Sequence, residues 1–262
     1  MNLLIGADPE VFLKRGEDFY SGYGVIPGTK VNPFPVNKGA VQVDGMALEF
    51  NINPAASDEE FLININTVLD ELKKMVPTGF DVTVSPVAMF SPEHMDEQPE
   101  EAKVLGCDPD FNAYTMTANP RPDQHPVMRT AAGHVHIGWT EDADVNDKAH
   151  FLSCCMLSKQ LDAFLGVPSV LLDPDVERKK MYGRAGAFRP KSYGTEYRVL
   201  SNFWLKSPKL IKWVFNNTKL AVDKLMVGEL MFEADEEYLK EIINRNNKIE
   251  AEHFCLSCDI PY

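Results

Sequence analysis

The sequence predicts an α+β fold in a single domain, residues 1–262. Two observations predict it. Segments with the two-residue period of strands are interleaved with segments of helical period. No composition shift, internal repeat or low-complexity stretch separates them. With 262 residues, 44% hydrophobic and 25% charged, the chain is long enough for a full core and ordinary for a globular protein.

The elements follow in order. "GADPEVF" near the start reads as a strand. "AVQVDGMALEFNIN" (40–53) alternates over its second half, with Leu48, Phe50 and Ile52 on one face and Glu49, Asn51 and Asn53 on the other, as a half-buried strand does. "SDEEFLININTVLDELKKM" (57–75) has helical apolar spacing and opens on Ser57 with Glu60 three residues later, an N-terminal capping pair. "FDVTVSPVAMF" (80–90) reads as one strand. Residues 91–130 are proline-rich and read as a long loop. "GHVHIGW" reads as a strand. "DVNDKAHFLSCCMLSKQLDAFLG" (144–166) reads as a helix ending at its glycine. "TEYRVLSNFW" (195–204) reads as a strand, and two helices, 207–227 and 235–248, follow.

Charge and cysteine usage narrow the function classes. Lys and Arg number 26 against 39 Asp and Glu, a net −13, so bulk nucleic acid is not the expected partner. Within this acidic chain, residues 178–191 carry six basic side chains and no acidic one, which calls for a local anion. No apolar run approaches the ~18–20 residues of a membrane span. The first residues show no basic leader followed by an apolar segment, so the expected location is the cytoplasm. Of the five cysteines, Cys154 and Cys155 are adjacent. Cys107 stands alone, and Cys255 and Cys258 lack the second pair that a zinc site needs; reduced structural thiols are expected.

The polar positions of four strands carry the functional reading. Residues i and i+2 of a strand share a face, ~6.5–7 Å apart. This pairs Asp8 with Glu10, Glu49 with Asn51, His134 with His136 and Glu196 with Arg198, each against an apolar back. Taken singly, Asp8 and Glu10 read first as edge charges facing water, Glu49 equally as a solvent-face residue, the histidines as core or surface groups, and Glu196/Arg198 as a cross-strand ion pair. Brought together on one sheet, they form a face that is no dry core. Carboxylates with one or two imidazoles suit Mg²⁺ or Mn²⁺, and Arg184, Arg189 and Arg198 could neutralise a transferred phosphate. "GVIPGTK" (24–30) ends on Lys30 without the Ser or Thr that completes a phosphate-binding loop. Lys30 reads either as an anion contact or as a solvated loop lysine.

The ordered motifs "GADPEVFL", "GVIPGTK", "GAVQVDGMALEFNINPA", "GHVHIG", "GRAGAFR" and "GTEYRVLSNFW" resemble the phage-encoded carboxylate–amine ligases, COOH–NH2 ligase type 2. These are a branch of the glutamine synthetase and glutamate–cysteine ligase superfamily. The resemblance implies a mostly antiparallel, curved sheet with helices packed on one face, like the glutamine synthetase catalytic domain. Its concave face would hold ATP and two or three divalent ions. On that resemblance Asp8, Glu10, Glu49 and Glu196 are expected metal ligands, with Asp44 near them, and one of the two histidines, His134 first, is expected to meet a metal, the choice between it and His136 staying open. Lys30, His136, Arg184, Arg189 and Arg198 are expected to hold ATP. Glu49 and the three arginines are expected in the catalytic step. The implied reaction joins a small-molecule or peptide carboxylate to an amine through an acyl phosphate, in the host cytoplasm if the chain is phage-encoded. Two other readings of the same residues stand beside it: a metal-dependent hydrolase built on His134, His136 and the acids, and a non-catalytic phage binding protein using 178–191.

Overall fold

The computed structural model describes residues 3–104, 110–121, 123, 125–233 and 235–262; Cys107 and its expected thiol lie outside them. The strands are β1 (Leu4–Arg15), β2 (Asp18–Tyr20), β3 (Phe34–Val36), β4 (Gly39–Asp44), β5 (Ala47–Ile52), β6 (Asp81–Thr83), β7 (Val87–Met89), β8 (Phe111–Asn112), β9 (Thr117–Ala118), β10 (Met128–Thr130), β11 (Gly133–Gly138), β12 (Ala187–Lys191) and β13 (Gly194–Tyr197). The helices are α1 (Asp58–Met75), α2 (Pro92–Asp96), α3 (Glu100–Lys103), α4 (Lys148–Leu161), α5 (Val167–Leu172), α6 (Pro208–Met226), α7 (Glu236–Arg245) and α8 (Lys248–Ser257). The main sheet runs β3-β4-β5-β1-β11-β13-β12-β8-β9, with β2 and β6 added along β1, while β7 and β10 pair separately. All these strand pairings are antiparallel, so the α+β class with a mainly antiparallel sheet stands.

Alternation explains which face the helices cover. Leu48, Phe50 and Ile52 pack in one cluster with Phe61, Ile65 and Val68 of α1, and Val135, Ile137 and Tyr197 join Leu161 and Leu165 in the same cluster. That is the dry face, and burying it against helices supplies the main drive to fold. The residues between them in sequence are therefore turned to the other face. The start of α1 is fixed locally: Ser57 Oγ accepts from the Glu60 N–H at 3.2 Å, and the Glu60 carboxylate accepts from the Ala56 N–H at 2.9 Å.

Several boundaries differ from those the sequence suggests, each for a local reason. The segment 80–90 is two short strands in different sheets, because Pro86 interrupts the run and β6 pairs with β1 while β7 pairs with β10. The segment 91–130 is not all loop but holds α2, α3 and three short strands. The helix read as 144–166 starts at Lys148, capped by Asp147, whose side chain accepts from the His150 N–H. It passes Gly166 through a π-helical turn, Asp162–Gly166, into α5. Gly166 serves close packing rather than termination: a Cβ there would lie 2.7 Å from Ile243 Cδ1. β13 stops at Tyr197, and Ser201 caps a 3₁₀ turn, Asn202–Lys206. Asn246, in the left-handed conformation, ends the last expected helix as α7, and a further helix beyond those expected from the sequence, α8, follows. The continuous helical run Lys148–Leu172 has the length and apolarity of a membrane span, but 78% of its apolar window is buried inside the protein, as a core helix is.

Candidate active site

Strand register brings the singled-out polar residues into adjacent rows on one face. Glu10 lies opposite Glu49, and Gln42 opposite Glu49 on the other side. Asp8 lies opposite His134, and His136 opposite Glu196, which in turn faces Arg189. Directly opposed residues of an antiparallel pair point to the same side, so four strands deliver their acids and imidazoles to one place. Gly133 permits the tight strand entry: a Cβ there would sit 2.4 Å from both the Ser201 carbonyl and Trp204 Nε1.

Two groups of ligand atoms result. In Asp8, His136 and Glu196 these atoms lie within 4.8 Å of one another, and likewise in Glu10, Asp44 and Glu49. In the first group His136 Nε2 is 2.9 Å from Asp8 Oδ1. Glu196, fully buried, is surrounded by cations: Arg198 Nη1 on Oε1, with Lys191 Nζ at 2.8 Å and Arg189 Nη1 at 3.4 Å on Oε2. Burial alone would raise its pKa, but Arg198 and the two histidines hold it far below the usual carboxylate range. Burial likewise opposes Asp8, and His136 and His134 override it to keep that carboxyl low. In the second group no cation of that strength intervenes. Burial, then Asp44, raises Glu10 to about 7. Burial, then Asp8, Glu10 and Asp44, raises Glu49. Glu10 accepts the Ala132 N–H at 2.8 Å, Glu49 accepts Gln42 Nε2 at 2.8 Å, and Lys30 Nζ bridges to Asp44 at 2.8 Å.

His134 plays a different part from its neighbour. Its Nδ1 is 3.4 Å from both Asp8 and Glu196 and 3.3 Å from Arg198 Nη1. Burial and then Arg198 push its pKa down to about 4. The imidazole whose ligand atom lies within 4.8 Å of those of Asp8 and Glu196 is that of His136; the resemblance leaves open which of the two histidines meets a metal.

A cavity of about 100 Å³ is lined by Asp8, Glu10, Asp44 and Glu49 together with Arg129, Arg178, Arg189 and Arg198. It shares Asp110 and Arg198 with a wide cleft of about 960 Å³, and Asp8, Lys30 and Glu49 with a second cleft of about 690 Å³ that includes Trp139 and Tyr193. Asp8, Glu10, Lys30, Glu49, His134, His136, Arg189, Glu196 and Arg198 thus converge on this face, while Arg184 does not reach the centre: it is exposed on the wall of the 960 Å³ cleft. Residues that strand spacing did not single out also contribute. Gln42 is visible only once the hairpin register is known. Asp110, which pairs with Arg198 at 3.4 Å, comes from the irregular segment. Arg178 had no signal beyond its place in the basic run, and Arg129 had none.

The donors fit a divalent cation. Asp8 Oδ1 and His136 Nε2 are buried and lie 2.9 Å apart, an ion pair when the imidazole carries a proton there, and no other well-aligned hydrogen bond meets either atom. Two lone pairs held face to face in a buried place require a shared electrophile or a proton. Carboxylates with a single imidazole are the donor set of a hard ion such as Mg²⁺ or Mn²⁺, and the all-carboxylate group Glu10, Asp44 and Glu49 suits the same ions.

No curated protein matches the chain. Similar solved structures align at low identity, among them the following two. A bifunctional glutathione synthetase from Pasteurella multocida aligns with 98% of this chain and 49% of its own, at 11% identity and a TM-score of 0.43. Plasmodium falciparum glutamine synthetase aligns with 84% of this chain and 52% of its own, at 12% identity and a TM-score of 0.32. The chain spans about half the length of each. Residues 130–245, which hold His134, His136, Glu196 and Arg198, match the family model of the phage phiEco32-like COOH.NH2 ligase-type 2, the family that the motif order resembles; the match supports a carboxylate–amine ligase.

Proposed function

We propose that the protein is an ATP-dependent carboxylate–amine ligase that forms an amide or isopeptide bond through an acyl phosphate. One observation carries the reading: a small cavity lined both by guanidinium groups and by carboxylates of two ligand groups, Asp8 of the first and Glu10, Asp44 and Glu49 of the second. Bound Mg²⁺ or Mn²⁺, two or three ions, would screen the nucleotide phosphates and polarise the γ-phosphoryl group. Asp8, His136 and Glu196 would hold one ion, and Glu10, Asp44 and Glu49 another. The 690 Å³ cleft, with Trp139 and Tyr193 for base stacking and Lys30 at its rim, would receive ATP. The 960 Å³ cleft would receive the acid, a small molecule or peptide. The substrate carboxylate attacks the γ-phosphorus, the bond to the ADP oxygen breaks, and Arg189 and Arg198 stabilise charge on the moving group. The amine, after losing a proton, then attacks the acyl carbon, and inorganic phosphate leaves. The cytoplasm, as the source of ATP, is the compartment in which this chemistry would run.

Hydroxylamine tests the reading without knowledge of the natural amine, because it traps an acyl phosphate as a hydroxamate. With Mg²⁺, ATP and hydroxylamine, a panel of small carboxylic acids and acidic peptides should give ADP and hydroxamate in equal amounts for some member. Turnover without ATP would favour the hydrolase reading instead. Absence of ADP release across the panel would sink the ligase.

A further inference from the structure

We infer that Arg178 is an anion-binding residue that receives a tetrahedral phosphoryl oxyanion beside Arg198, a role that rests on the ligase reading of the same cavity. Arg178 is 3% exposed and lies on the wall of the central cavity with Glu10 and Arg198. Its Nη1 donates to the Val199 carbonyl at 2.9 Å, and its buried Nε has no partner. Among the described residues no carboxylate lies within ion-pair distance of it. Glu10, Asp173 and Asp175 act on it only from farther away, and burial lowers its pKa to about 10. The nearest acids have other duties: Asp173 Oδ2 accepts from Ser201 Oγ at 2.6 Å, and Asp175 Oδ1 accepts the Arg178 backbone N–H at 3.0 Å.

A buried cation with one neutral acceptor is expensive unless an anion joins it. Arg129 on the same wall shows the structural alternative. It too is buried without a carboxylate, but its Nη1 and Nη2 donate to the carbonyls of His125, Met128 and Lys103 at 2.8–3.0 Å. Arg178 lacks such a cradle. The chain is nevertheless shaped to hold it: Gly183 has φ +78°, and a Cβ there would lie 2.1 Å from Arg178 Nη1 and 2.5 Å from the Val199 carbonyl. The left-handed glycine keeps the guanidinium at the cavity wall, where Arg178 and Arg198 line the same cavity of about 100 Å³ as Asp8, Glu10, Asp44 and Glu49.

Inorganic phosphate is the probe, titrated calorimetrically into the full chain with Mg²⁺ and ADP present. Arg178→Met should weaken phosphate binding about tenfold or more, the loss expected of a charge-assisted hydrogen bond, and leave ADP affinity within about threefold. Arg178→Lys, which keeps the charge but not the fork, should fall between, and it carries the test if the Met variant does not fold. Melting of the ligand-free proteins separates a structural role. Removal of an uncompensated cation should leave the melting temperature unchanged or higher, whereas a residue that holds the fold together would lower it. Phosphate affinity indifferent to both substitutions, or a wild-type protein that binds no phosphate, overturns the inference. Phosphate binding that depends on Arg178 in a protein releasing no ADP with any acid would overturn the ligase reading alone.

Discussion

Glu196 and Asp162 are equally buried carboxylates on opposite sides of the same sheet, and the protein treats them in opposite ways. Glu196 faces the cavity, paired with Arg198, Lys191 and Arg189, and stays ionised. Asp162, in the π-helical turn behind the sheet, accepts the hydroxyls of Tyr197 at 2.7 Å and Tyr114 at 2.8 Å. Burial raises it to about 7 despite those hydrogen bonds. Tyr197 is the next residue after Glu196, so one peptide step along β13 separates a charged environment from a neutral polar one. The difference teaches where this fold tolerates charge. The helix face solves a buried acid with neutral donors; the cavity face gathers counter-ions around it, an arrangement suited to moving anions.

The largest expected effect comes from breaking the charged side. Glu196→Gln leaves three cations without their common partner, so unfolding free energy should fall by about 3–5 kcal/mol, read by chemical denaturation. Any ATP-dependent turnover should fall at least a hundredfold with it. Glu10→Gln separates the two consequences. The Ala132 N–H keeps an acceptor in the glutamine oxygen, so stability should hold while turnover falls comparably and one Mn²⁺ site is lost by electron paramagnetic resonance. Normal turnover in both variants would move the active site elsewhere.

The neutral side gives a pH test of intermediate size. Asp162 binds its proton more tightly in the folded protein (about 7) than in the unfolded chain, whose carboxyl is near 3.9. The native state therefore holds more protons between those values, and stability falls as pH rises toward 7, then levels off above it. The full span corresponds to about 4 kcal/mol at most. Asp162→Asn should flatten this part of the profile between about pH 4 and 7, measured as the difference between variant and wild type. At pH 8 the variant should lose little, because one tyrosine gives up an acceptor while a buried charge disappears. An unchanged slope would mean that Asp162 stays ionised, and the contrast with Glu196 would collapse.

Much of this contrast was legible along each strand and little of it across strands. Period-two alternation placed Asp8 with Glu10, His134 with His136 and Glu196 with Arg198, and it placed Tyr197 on the opposite side. Which rows meet depends on register, which hairpin turns and the packed face decide together; hence Gln42 opposite Glu49 and His136 opposite Glu196 were not readable. Arg184 looked equivalent to Arg189 in the basic run, yet only Arg189 sits on a strand paired with Glu196. Arg178 sits in a 3₁₀ turn with no periodic signal. The helix ends failed where tertiary packing overrode local punctuation, as at Gly166. The polar core of Asp162, Tyr114 and Tyr197 joins positions 35 and 48 residues apart, which no local pattern announces.

The smallest effect tests how the charged side is tuned. Tyr193 hydroxyl contacts His136 Nδ1, and His136 Nε2 lies 2.9 Å from Asp8 Oδ1. If Nδ1 carries the ring proton and donates it to Tyr193, Nε2 presents a lone pair, as metal ligation requires. Tyr193→Phe removes that acceptor. The ring is then free to place its proton on Nε2, bond to Asp8 and close the site against a cation. Mn²⁺ affinity at the site of Asp8, His136 and Glu196 should fall about 10–100-fold, the usual cost of losing an outer partner. The site of Glu10, Asp44 and Glu49 should keep its affinity, and the Asp162-dependent pH profile should not move, since Tyr193 touches neither. Equal loss at both Mn²⁺ sites would show that Tyr193 acts through the fold rather than through one imidazole, and undiminished binding at both would mean that the neighbouring carboxylates, not the tyrosine, fix the proton on His136.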